Sequence, residues 1–153
     1  MYPWFLALHS VWRWVVMFAV VARFLRGATA GSGPFTRVDK LLGVAAIISL
    51  DVQLLLGLGL YFGMSPLTSA AFADVGAAMK QPLLRFWLVE HGLVLFLAVV
   101  AGHVGNVLVR KATEDVRKHK VAAIAYGVCI ALILLGMPWP FRAVVGRPWL
   151  PGL

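Results

Sequence analysis

Four long apolar runs, roughly residues 4–24, 41–63, 86–109 and 121–137, restrict what this chain can fold into more than any other feature. Each is long enough, or nearly so, to cross a hydrocarbon layer of about 30 Å at about 1.5 Å per residue. Hydrophobic residues make up 61% of the 153 and charged residues only 13%, a membrane composition. In lipid the backbone must satisfy its own N–H and C=O groups, so such runs predict α-helices. The expected fold is all-α, an integral membrane four-helix transmembrane bundle forming a single domain over residues 1–153. The first run lacks a preceding basic region and a small-residue cleavage site, so it is expected to stay as a permanent helix rather than act as a leader. A lone cysteine, Cys129, excludes a disulfide framework.

A net charge of +8 suggests nucleic acid until its distribution is inspected. Nine of the fourteen basic residues flank the first and third connections: Arg23, Arg26, Arg37 and Lys40, then Arg110, Lys111, Arg117, Lys118 and Lys120. Only Lys80, Arg85, Arg142 and Arg147 lie at the opposite end. The positive-inside rule therefore places those loops in the cytoplasm and both termini outside, as in a multi-pass protein of a bacterial inner membrane. The expected contacts are membrane lipids, anionic ones included, and no nucleic acid. GATAGSGPFTR reads as a loop, and MSPLTSAAFADVGAAMKQP as a short element lying on the outer surface. Trp139 and Trp149, in the tail PWPFRAVVGRPWLPGL, suit an interfacial aromatic belt.

With this topology, His9 and His91 lie about six residues, or about 9 Å, outward of the centres of their runs. Two imidazoles at one depth on separate helices suit a haem with two histidine ligands. Gly57 and Gly59 on the second helix and Gly136 on the fourth fall near that level and would give a flat macrocycle room. Arg85, Arg142 and Lys80 are candidate partners for the propionates. A membrane bundle also carries histidines for ordinary interhelical hydrogen bonds, and glycines for ordinary packing.

Arg13 follows His9 by four residues and shares its face. An unpaired arginine near the bilayer centre costs at least about 2.5–3.5 kcal/mol, so an ion pair with Asp51 on the second helix is expected, with a proton path through Asp51 as the rival reading. Gln53 reads as an interhelical hydrogen bonder, and Glu90 as a headgroup-level residue. His103 lies about 120° around the helix from His91, and its possible partner His119 belongs to RKHK, which reads as a solvated basic loop. One haem is therefore expected rather than two. No phosphate-cradling glycine loop, HExxH pair or Ser/His/Asp set at a common depth is present.

LHSVWRW, SLDVQLLLGLGLYF, LRFWLVEH and MPWPFR together resemble a small family of bacterial four-helix membrane proteins loosely labelled cytochrome b-like. The resemblance spans nearly the whole chain. In that family the position of Asp51 is often histidine, which implies that this chain lacks a possible ligand facing His103. The expected function is electron transfer through one haem b near the outer face, with a quinone as a further candidate cofactor and a redox partner or larger membrane complex as the contact. The alternative is a haem-free accessory subunit of a respiratory or photosynthetic complex. Neither reading needs a stand-alone enzyme.

Overall fold

A computed structural model describes residues 1–150, of which the great majority are helical and none forms a strand. The last three residues of the expected domain, 151–153, lie outside that range. Four helices are long and apolar enough to cross a membrane: α1 (Tyr2–Thr29), α2 (Arg37–Met64), α5 (Pro82–Lys111) and α6 (Asp115–Gly136). Two short helices, α3 (Pro66–Ala73) and α4 (Val75–Lys80), fill the connection between α2 and α5. The four-helix bundle expected from the apolar runs is therefore present. Its helices extend beyond those runs because polar residues at their ends still complete backbone hydrogen bonds.

Successive long helices are antiparallel and close a ring in which α1 packs on α2 and α6, and α5 on α6 and α2. The α2–α5 seam is the loosest of the four. Val16, Val20, Ala46, Leu50, Ala98, Val99, Ala122, Tyr126 and Ile133 form the core. Trp4, Phe18 and Phe62 project from its outside, an apolar girdle suited to lipid. Small residues bring the backbones together. A Cβ on Gly27 would lie 2.8 Å from the Ala123 backbone nitrogen, so only glycine permits that α1–α6 approach.

The ends are built differently. At the basic end, Asp39 in the first turn of α2 accepts from the Thr36 N–H (2.8 Å) and hydroxyl (2.7 Å). At the termini end, α2 finishes in a π turn over Leu60–Met64, and α5 contains another over Phe86–Glu90. The second turn explains an otherwise unexpected contact. Residues five apart diverge by about 140° on a regular α-helix. The wider i→i+5 turn instead brings Arg85 Nε within 2.7 Å of Glu90 Oε1. His91 follows immediately, at the start of regular helix. Beyond α6 the tail folds back over the bundle, with the Trp149 ring 5.9 Å from Trp14 and 5.6 Å from Trp139.

Candidate functional site

At the termini end a cavity of about 480 Å³ opens between α1, α2 and α5, and His9 and His91 both line it. Their ring centres are 6.4 Å apart with planes 64° from parallel. The depth match read from the sequence thus becomes a juxtaposition across the bundle. His91 Nδ1 lies 2.9 Å from the Gly136 carbonyl on α6, which orients the ring and commits one nitrogen. Phe86 and Trp87 pack against it at 5.6 and 5.1 Å between ring centres. Around His9, Gln53 of α2 donates to the backbone carbonyl at 3.1 Å and places its Nε2 3.3 Å from His9 Nε2. Gln53 is thus the interhelical hydrogen bonder expected. His9 Nδ1 is buried and has no hydrogen-bond partner among the described residues.

Two of the three glycines near this level serve the site. A Cβ on Gly57 would lie 3.3 Å from His9 Cε1, so the bare backbone leaves the imidazole its place. Gly136 contributes its carbonyl, and a side chain there would press within 2.8 Å of Leu95 Cδ2. Gly59 packs on Phe5 instead.

The cations are distributed differently from the sequence reading. Arg85 and Arg142 do not line the histidine cavity. They meet in a separate shallow recess with Pro82 and Phe86, Arg85 held by Glu90 and Arg142 stacked 4.6 Å above the Phe86 ring. Lys80 is exposed at the end of α4. The cations on the cavity wall are Arg13 and Arg147. Arg147 arrives from the tail and stacks 5.1 Å from Trp87. No local pattern in the sequence marks that return of the tail.

The expected Arg13–Asp51 pair is not formed. Arg13 Nη2 donates to the Pro148 carbonyl at 3.0 Å and also to that of Trp149, so backbone oxygens of the tail accept from the guanidinium. Asp51 Oδ1 instead lies 2.7 Å from His103 Nε2 across the α2–α5 seam. Helical side chains lean toward their own N-terminus, and α2 and α5 run in opposite directions, so Asp51 and His103 lean toward each other. Both remain nearly half exposed, at 44% and 48% of their side-chain surface. His103 therefore lies off the cavity wall, as its angular offset from His91 requires.

His119 also departs from the sequence reading. It is 1% exposed, packed 5.3 Å from Phe35, and its Nδ1 lies 3.8 Å from Asp39 Oδ1. The RKHK segment is the first turn of α6, and helical phase turns its histidine inward while Arg117 and Lys120 stay exposed.

Compared with family models, curated proteins and solved structures, the chain matches none.

Proposed function

We propose that the cavity at the termini end holds one haem b between His9 and His91, and that the protein carries electrons within the membrane. One observation carries this reading: two imidazoles from different helices face one cavity with ring centres 6.4 Å apart. Imidazoles sharing one metal ion, each with a nitrogen about 2 Å from it, have ring centres roughly 6 Å apart. Bound there, the haem would supply one-electron redox chemistry.

The protein's own contributions follow from its contacts. His91 would ligate through Nε2, because the Gly136 carbonyl holds Nδ1, an arrangement that fixes the orientation of a metal-binding imidazole. His9 brings a buried nitrogen without a partner and is seated against the bare backbone of Gly57. Arg13 and Arg147 would face the propionates, replacing Arg85 and Arg142 in that role. Met137, Pro138 and Arg147 line the cavity toward the termini end. Leu58, Phe62, Leu93 and Phe96 line it and are also exposed, so its mouth opens sideways between α2 and α5. A lipid-soluble electron carrier such as a quinol would approach by that side. The basic-loop asymmetry supports an orientation with the cavity outside the cytoplasm, in a bacterial inner membrane. The resemblance to cytochrome b-like proteins points the same way.

The test is a reduced-minus-oxidised visible spectrum of the purified chain. A low-spin b-type signature is expected, lost in His9→Ala and in His91→Ala and kept in His103→Ala. A folded but colourless protein overturns the reading and favours a haem-free accessory subunit. Equal loss in all three variants refutes the ligand assignment.

A further inference from the structure

At the basic end, far from the histidine cavity, four buried polar atoms have no hydrogen-bond partner among the described residues: Arg23 Nη1, Tyr126 Oη, and both ring nitrogens of His119. Their side chains are among the most completely enclosed in the molecule, with Arg23 and His119 1% exposed and Tyr126 0%. They are also neighbours. Arg23 Cζ lies 5.8 Å from the Tyr126 ring centre and 5.5 Å from that of Phe35, and the His119 ring centre lies 5.3 Å from that of Phe35. Tyr126 and His119, seven residues apart on α6, share one face of it.

Buried polar groups are nearly always satisfied, so a cluster of unpartnered ones marks a site that something else completes. Charge decides what that is. A guanidinium cannot shed its proton to escape burial. Asp39, the nearest carboxylate, is already engaged by Arg26 at 2.9 and 3.3 Å and by both donors of Thr36. Asp115, which caps the Phe35 N–H, is matched by Lys118 at 2.8 Å. Among the described residues Arg23 makes no ion pair, so the cluster holds one positive charge in excess. The Phe35 and Tyr126 rings lie within cation–π range of the guanidinium, and Nη1 is left without an acceptor among the described residues.

We infer that a small inorganic anion of halide size binds among Arg23, Tyr126 and His119. Arg23 Nη1 and the Tyr126 hydroxyl donate to it, as does whichever His119 nitrogen carries the proton. Water would satisfy the hydrogen bonds but leave the guanidinium charge uncompensated. The site is independent of haem.

Bromide is the probe. Thermal unfolding of the full chain in detergent is followed while sodium bromide replaces sodium gluconate at constant ionic strength. A saturable rise in Tm is expected, because a ligand that binds only the folded state stabilises it by mass action. Tyr126→Phe, which keeps the ring and removes one donor, should weaken the apparent bromide affinity about tenfold. Arg23→Leu, if it folds, should be indifferent to bromide. Crystals grown in bromide should show an anomalous peak beside Arg23. A Tm independent of the anion, an unchanged titration in Tyr126→Phe, or water alone at the site overturns the proposal, whatever the visible spectrum shows.

Discussion

Asp51 and His103 should be energetically coupled, and Arg13 should be coupled to neither. The perturbations are Arg13→Leu, Asp51→Leu and His103→Leu, singly and in pairs. Asp51 and His103 share a 2.7 Å hydrogen bond across a helix seam. Interhelical hydrogen bonds in membranes average about 0.6 kcal/mol in double-mutant cycles and reach about 1.7. A short bond to a carboxylate belongs near the upper end, so a coupling of about 1–2 kcal/mol is expected for this pair. Arg13 shares no partner with Asp51, its guanidinium being held by the tail carbonyls of Pro148 and Trp149. Independent sites add to within about 0.3–0.5 kcal/mol. The assay is reversible unfolding in mixed micelles. A coupling above 1 kcal/mol between Arg13 and Asp51, with none between Asp51 and His103, would refute the assignment of partners.

Gly57→Val should lower haem content without unfolding the protein, since even a Cβ there approaches His9 Cε1 to 3.3 Å; pigment per folded molecule measures it. Asp39→Leu should be among the more damaging single changes, by about 1–3 kcal/mol, because it leaves the Thr36 N–H without its acceptor and the partly exposed Arg26 without its carboxylate. Denaturant titration checks this, and a loss under 1 kcal/mol would show that water replaces the carboxylate readily. A reporter fused to the C-terminus should be active outside the cytoplasm and silent within it.

Much of this molecule is legible in its sequence because lipid removes alternatives. Four apolar runs can only be helices, and equal depth was enough to pair His9 with His91. Depth alone does not set partners. Arg13 and Asp51 both lie near mid-membrane, but a partner is set by which neighbour each helical face meets and by the direction the side chain leans. The tail, which reaches Arg13 and supplies Arg147, closes on α1 across more than 130 positions, beyond any local pattern. The π turn before His91 likewise breaks the 100° phase on which helical-wheel reasoning depends. His119 was hidden by composition. Its charged neighbours suggested a loop, whereas continuing helix turns one residue in RKHK toward the core.

The backfolded tail also has a bearing on biogenesis. α1, α2 and α5 carry nearly all of the cavity wall, including both histidines, and are synthesised before Met137, Pro138 and Arg147 complete it. During that interval the wall lacks those three residues at the termini end. Docking of Pro148 and Trp149 carbonyls onto Arg13 ends it. A rigid group, if the cavity takes one, would therefore have its widest window of entry before the tail docks. A chain interrupted before Pro138 would keep that window open.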